Sequence, residues 1–437
     1  VTTMQQENVV QPLGPVEERF LRTLPGRPQH MTSCVYVLDG AGLRDAQGRL
    51  DFPALRRHLV WWGGGAPYRS TRLAPSLLGL TPPAWVSSAG RGLESAVRLW
   101  PRPCAVADLA DVVAECHLTP VDLRVAPWLW TVVDDPAGPV GIVFQAHHAW
   151  ADGMLSLQML SGSMTAVPGS LQAPPVSLPS GRPLGAVGVA VELLRRWWAD
   201  QPTWRAAARS WSARPLGARV RRVLGRQRWA LAQLLDRRRP PTGPVSAALA
   251  FRWRELPLST VSRLARENGG NVNELIAAAT AHALVTVGQA DASGGAPWVL
   301  VPMSARAGGE DLAANRVRVV PVRVDVARGL SEAVSGVRAQ LRDEAPAGAG
   351  DSAVRVHATT MLGPRDEQHL GSARVEQWAL MPSPGEDEDF AVIGFVRRRT
   401  VVVSVAVRDP GVAEAFADAV ADVLSGRVPT TTGGPPR

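Results

Sequence analysis

The chain contains no lysine: all 47 of its basic residues are arginine. That absence removes several chemistries at once. A Walker-type phosphate loop needs its lysine, and pyridoxal phosphate catalysis needs one for the Schiff base. Cysteine is nearly absent too. Cys34, Cys104 and Cys116 are too few for a framework of paired disulfides and lack metal-ligand spacing, so buried, reduced thiols are expected. Cys116 adjoins His117, but without a second pair this is weak support for a nucleophile. Long apolar runs are also missing. The least charged stretch, about Pro183 to Leu194, is too short to span a bilayer and holds Glu192. The first residues, Val1 to Glu7, have no basic region leading into an apolar core. The expected location is therefore cytoplasmic, with peripheral contact to a membrane or lipid surface left open.

What is present is a core-forming chain of 437 residues with a mean hydropathy of −0.01, long enough for two or three domains. Residues 11–23 read as an entry segment turning helical at its proline. Residues 31–39 alternate as a strand does and stop at Gly40. Asp51 followed by Pro53 opens a helix over 51–60, and 109–116 reads as a second. Two strands, 127–133 and 141–145, flank the turn 135–138 and suggest a hairpin. Residues 166–188, rich in Pro, Ser and Gly, mark a crossover. Beyond it, strands are expected at 246–253, 298–302, 316–324 and 400–407. Helices are expected at 258–266 (capped by Ser259 or Thr260), 271–284 and 411–424. These elements divide the chain into a first lobe (1–165), a crossover with a basic segment (166–244), a second lobe (245–425) and a disordered tail (426–437).

The chemistry concentrates at Gln145-Ala-His147-His148-Ala-Trp150-Ala-Asp152-Gly153. A buried strand leads in and an apolar helix, 154–160, leads out. Neighbouring residues leaving a strand point in opposite directions, so His148 can face a cavity while His147 points into supporting structure. An imidazole near its ordinary pKa suits proton abstraction from a hydroxyl or amine at neutral pH. Asp152 is placed to fix the turn, through an ion pair with an arginine and with a gain in basicity at the site. Gly153 would leave room for a substrate beside the backbone. The plainer alternative is that two histidines merely end a core strand.

A different signal comes from residues 195–239, which hold thirteen arginines against two aspartates. Since the whole chain carries +8, the rest of it is slightly acidic and the basicity is local. Trp197, Trp198, Trp204, Trp211 and Trp229 are interleaved, and the spacing of Trp204, Ala208 and Trp211 suits an amphipathic helix. Three readings fit: a solvated helical face, a peripheral membrane or lipid surface, or contact with an acidic partner such as a carrier protein or the phosphates of coenzyme A. No recognised nucleic-acid-binding motif accompanies the charge, so no nucleic acid partner is expected.

The full pattern HHxxxDG is the signature of acyl-thioester-dependent transferases with the chloramphenicol-acetyltransferase-like fold. Further motifs follow in order: Pro12-Leu-Gly-Pro-Val-Glu17, Leu38-Asp-Gly-Ala-Gly-Leu43 with Gly48-Arg-Leu-Asp51, and Pro127-Trp-Leu-Trp130. Asn273-Glu274, Pro302-Met-Ser304 with Arg306, Asn315-Arg-Val317 and Thr360-Met-Leu-Gly-Pro364 complete the series. In this the chain resembles the bacterial wax ester synthase/diacylglycerol acyltransferases over about residues 11–425. The resemblance implies an α/β fold of two chloramphenicol-acetyltransferase-like lobes, each a mixed sheet flanked by helices, with the active site in the channel between them. It further implies His148 as general base, Asn273 orienting the reacting groups or steadying an oxyanion, and His147 and Asp152 holding the loop. Trp150, Gly153, Ser304 and Gly363 are then expected along the substrate channel. No metal or redox cofactor is implied, because an acyl-CoA or acyl-carrier thioester brings its own activation. The outer motifs depart from the family pattern: PLGPVE stands for PLSPxD, Asn-Glu for Asn-Asp, and Thr360 for the Asn of NVxGP. HHxxxDG does not depart. An alcohol or diacylglycerol acceptor, a condensation-type ester or amide synthesis, and a non-catalytic binding module therefore all stay open.

Overall fold

The computed structural model describes residues 10–21, 29–66, 68–74, 81–88, 92–171, 184–199, scattered positions from 212 to 227, 248–290, 296–304, 317–342, 356–385 and 388–427. Two six-stranded mixed sheets dominate. The first runs, in spatial order, His369–Leu370, Ala373–Met381, Met31–Leu38, Val140–His147, Trp128–Asp134 and Val97–Leu99. Its neighbours are antiparallel except the last pair. Val140–His147 is buried along its whole length, which explains the apolar run Val140–Phe144: a strand covered on both faces has no polar side to alternate with.

The second sheet runs Val317–Arg323, Trp298–Ser304, Val356–Leu362, Phe390–Arg397, Thr400–Val407 and Ala250–Pro257. Val356–Leu362 lies parallel to both of its neighbours. Helices Val272–Thr286 and Ala413–Leu424 cover one face, and the first lobe covers much of the other. The strand period of two decides which residue goes where. Val401, Val403, Val405 and Val407 join the helices' core, while Val402 and Ala406 join the core of the first lobe. A small third sheet of Val10–Pro12, Ala84–Ser87 and Thr71–Ala74 is closed by Val189 and Leu193 of helix Ala186–Ala199.

Late residues complete the early lobe. Ala373–Met381 pairs with Met31–Leu38, so the division at 244/245 marks where the second sheet begins but does not separate the two sheets. The hairpin of Trp128–Asp134 and Val140–His147 is present, and Thr400–Val407 is a strand as expected. Helix Leu258–Glu267 has Pro257 at its cap position and no side-chain cap, so neither Ser259 nor Thr260 caps it. Helix Val272–Thr286 is capped by Asn271 rather than Asn273. Asn271 and Glu274 form a reciprocal capping box, which requires a Glu or Gln three residues after the cap. Cys34 and Cys116 are buried and Cys104 is half-buried, all as free thiols. Most of 195–239 lies outside the described residues, as does most of the tail. Among the described residues no helix is long and apolar enough to cross a membrane.

One close approach ties the helical layer to the second sheet. A Cβ on Gly394 would lie 2.1 Å from Ile276 Cδ1. Gly394→Ala is therefore expected to destabilise the protein by about 1–3 kcal/mol through overpacking. Ile276→Val removes that terminal methyl and costs about 0.5–1.5 kcal/mol alone. Denaturant melts should show the double variant less destabilised than the two single effects added; strict additivity would remove the contact as the cause.

Candidate active site

The histidine turn is held from both sides. The His147 backbone N–H donates to Pro127 O and that of His148 to His30 O, at 2.9 and 2.8 Å. The Trp85 indole donates to Ala149 O at 3.1 Å and the Tyr68 hydroxyl to Trp150 O at 2.6 Å. Asp152 Oδ1 accepts from the Leu155 N–H at 2.9 Å and so caps helix Gly153–Ser161. Its carboxylate fixes the turn as a helix cap, where a negative charge also meets the positive end of the helix dipole.

His147 is buried, and its Nδ1 accepts from the Ala149 N–H at 3.1 Å. That bond puts the ring proton on Nε2 and makes His147 a neutral fixture of the turn. His148 is half-buried, with its ring stacked on Phe20 at 5.0 Å. Its pKa does not lie near the ordinary value: burial, then the neighbouring His30, His357 and His117, push it down to about 3. Burial, then His30 and His148, do the same to His147, again to about 3. Both rings are neutral at physiological pH, and an imidazolium forms there only at a cost.

Other expected residues are placed differently. Trp150 packs in the core, stacked on Tyr68 at 5.1 Å, and so supports the turn instead of lining a channel. Gly153 leaves room for protein, not for substrate: a Cβ there would lie 3.1 Å from Met361 Sδ of the second sheet. Gly363 serves packing as well, since a Cβ would fall 2.4 Å from the Phe395 ring. Ser304 ends strand Trp298–Ser304 opposite Val317, and its side chain lies outside the described set, as do Arg306 and Asn315. Asn273 is not joined to the histidines by any hydrogen bond among the described residues. Its helix covers the face of the second sheet turned away from the first lobe, and its Oδ1 is buried without a hydrogen-bond partner among the described residues.

The second lobe brings His357 instead. On strand Val356–Leu362, Val356 and Ala358 join the helices' core, so His357, Thr359 and Met361 share the opposite face. Met361 meets Gly153 there, and the charge of His357 is felt at His148. His357 Nδ1 donates to Glu388 Oε2 at 2.5 Å, both side chains being 14% exposed. His357 first, with the Gly385 N–H and Arg408, holds the Glu388 carboxyl below its usual range against the opposing effect of burial. His117 completes the group between Ser33 (3.0 Å) and Ser383 (3.2 Å), and burial is the main cause of its fall to about 4. Sequence spacing gave no signal for His30, His117 or His357, which the fold gathers from three separate segments. Among the described residues no group of three or more His, Cys, Asp or Glu side chains is arranged to hold a metal ion.

A family model for the wax ester synthase/diacylglycerol acyltransferase catalytic domain matches residues 20–276, more than half of the chain. The chain belongs to the wax ester synthase/diacylglycerol acyltransferase family. A Mycobacterium tuberculosis (strain H37Rv) relative, assigned by name as a diacylglycerol O-acyltransferase, is 28% identical over 253 residues. That alignment covers 52% of this chain and 48% of the relative, so the chain spans about half the length of such relatives. Among solved structures, the wax ester synthase/diacylglycerol acyltransferase of Marinobacter aquaeolei VT8 matches with a TM-score of 0.58 at 15% identity, over 95% of this chain and 100% of that one. The first condensation domain of the CDA synthetase matches equally well, with a TM-score of 0.59 at 17% identity, over 97% and 98%. The two-lobed, condensation-like fold of the family is thus the fold of this chain.

The family member's depressed histidines carry a consequence for stability. His117, His147 and His148 have folded-state pKa values of about 4, 3 and 3 against 6.5 when unexposed to these effects. Below pH 6.5 the unfolded chain takes up protons that the folded chain refuses, so stability falls as pH drops toward 4, by up to about 1.4 kcal/mol per pH unit for each ring. Melting temperatures measured from pH 7 to 5 should decline, and less steeply in His148→Gln. Identical slopes for the two proteins would contradict the burial of His148 as its cause.

Proposed function

We propose that the protein transfers an acyl group from an acyl-CoA thioester to the hydroxyl of an acceptor such as a long-chain alcohol or diacylglycerol, with His148 as general base. The observation that carries this reading is the intact HHxxxDG turn, fixed at the end of a buried central strand. It presents one half-buried, neutral histidine toward the second lobe. Family membership supports the same reaction class.

In this mechanism the unprotonated His148 ring takes the acceptor proton as the hydroxyl oxygen attacks the thioester carbonyl. The tetrahedral oxyanion then collapses, the C–S bond breaks, and the departing thiolate takes the proton back from His148. The imidazolium exists only while the oxyanion does. Burial penalises that cation in the empty site, and the nearby negative charge offsets the penalty at the moment it matters. His147 and Asp152 act by holding the turn. A thioester is already activated, so no metal or redox step is invoked.

The equal likeness to a condensation domain favours a second reading, in which the acceptor is an amine or the donor is carrier-bound. Thiol release measured across acyl-CoA chain lengths with a panel of alcohols and amines separates the two. His148→Ala should lower kcat/KM by at least about 100-fold, the scale of general-base catalysis. Unchanged product formation in that variant would leave a non-catalytic module as the better description.

The pH profile follows from the same residue. A base held at about 3 stays unprotonated as pH falls, so kcat/KM should be flat from pH 8 to about 5 with no break near 6.5. An acid limb at pH 6–7 would mean that His148 titrates as an ordinary histidine and that its burial does not govern the free enzyme.

A further inference from the structure

A second polar concavity lies where the lobes are joined. Strand Ala373–Met381 of the first sheet and the turn between Phe390–Arg397 and Thr400–Val407 of the second enclose a cleft of about 820 Å³, into which Arg365, Arg374, Arg397, Arg398 and Arg399 face. The three glutamates on its walls do not balance five arginines. Glu367 lies 3.8 Å from both Arg374 and Arg398, and Glu376 lies 3.3 Å from Arg374. Arg365 and Arg399 have no ion pair among the described residues.

Arg397 is the most telling of the five. It is 6% exposed, and its Nη2 donates to Val375 O at 2.9 Å. Its Nε is buried without a hydrogen-bond partner among the described residues. Burial first, and then the charge of Arg398, lower its pKa. A guanidinium penalised in this way gains doubly from an anion, which supplies the missing acceptor and adds to the partial countercharge of Glu255 and Glu367. The turn itself is locally unfavourable. Three consecutive arginines repel one another, and Arg398 takes a φ of +51°, where glycine or asparagine is easier. Such a conflict is borne at places where the residues serve something other than the fold.

Along the first sheet the cleft lies seven residues from the histidine turn: Val375 pairs with Leu38 and Leu38 with Val140, whereas His147 pairs with Met31. Arg365 stands four positions beyond Met361, which packs against Gly153, a stretch that reaches at most about 14 Å. An extended phosphopantetheine arm covers a gap of that order. We propose that this arginine cleft binds the phosphate groups of the thioester donor, with the pantetheine arm running along the end of strand Val356–Leu362 to His148. The proposal rests on the acyltransfer reading and names where that reaction's donor is held. Phosphate is common to coenzyme A and to a carrier-borne phosphopantetheine, and the cleft's several unpaired guanidiniums suit the more highly charged coenzyme A.

The test uses exposed residues, so that folding is not at stake. In the double variant Arg365→Ala/Arg399→Ala, the preference for acyl-CoA over acyl-pantetheine, which lacks phosphate, should fall at least tenfold through KM. Coenzyme A and 3′,5′-ADP binding, measured by calorimetry, should weaken in parallel. Acyl-phosphopantetheine distinguishes the sources. If it loses as much as acyl-CoA does, the cleft reads the phosphate shared with carrier proteins; if only acyl-CoA loses, it reads the nucleotide end of coenzyme A. An unchanged preference, together with unchanged coenzyme A binding, overturns the proposal. Should the wild type turn over no donor while the variant still loses coenzyme A binding, the catalytic reading fails and the cleft stands.

Discussion

The pairing of Ala373–Met381 with Met31–Leu38 is the contact on which the rest of the structure depends. It carries Trp378 into the seam between the lobes, where its ring lies 4.8 Å from Tyr36 and 5.3 Å from Phe395 of the second sheet. Rings meeting at a tilt with centroids at these separations bury large apolar area with a preferred geometry. Arg397 adds a hydrogen bond from the second sheet to Val375 O of the same strand. One strand therefore belongs to the first sheet by its hydrogen bonds and to the second by its side-chain contacts. The histidine turn is built wholly from early residues, yet the groups that face it, His357 and Met361, come from the second sheet.

That arrangement has an electrostatic price. Histidines from four segments converge with Glu388 as the carboxylate bound to one of them, and burial keeps His117, His147 and His148 neutral. A base that is hard to protonate is a weak base in the resting site. It becomes an effective one only if the reaction generates a compensating charge beside it. In acyl transfer the tetrahedral oxyanion is such a charge, appearing and vanishing together with the imidazolium. The same low-dielectric surroundings that depress the pKa strengthen the attraction between the transient ions. In the proposed reaction, a preference for a charge-separated transition state over a charged ground state would thus follow from burial itself.

Much of the first lobe was legible because its signals are local. Asp51 with Pro53 announced a helix, the hairpin announced itself by its turn, and HHxxxDG combined a strand end, a turn and a helix start in nine residues, although Asp152 was expected in an ion pair and serves as the N-cap. The cap of Val272–Thr286 is less plain: Asn271 and Asn273 both stand at the helix start, and only Glu274, three residues beyond Asn271, separates them. Between residues 325 and 399 no element had been expected, although helix Leu330–Arg342 and strands Val356–Leu362, Ala373–Met381 and Phe390–Arg397 lie there. In Phe390–Arg397 the residues alternate by destination, not by polarity. Phe390 and Val392 are buried under helices, Ala391 and Phe395 against the other lobe. Both faces are apolar, so the period of two leaves no trace in hydropathy.

The same parity explains why the second lobe supplies His357 to the histidine turn and not Asn273. A residue on the helical layer reaches the first lobe only around the end of the sheet, whereas an odd-numbered residue of Val356–Leu362 already stands on the facing side. Shifting that strand by one residue would exchange the sets and put Val356 and Ala358 against the histidines. The register is held by the long parallel pairing with Phe390–Arg397, from Val356 opposite Phe390 to Leu362 opposite Val396. The group that faces His148 is thus decided by the register of a strand pair that contains none of the motif residues.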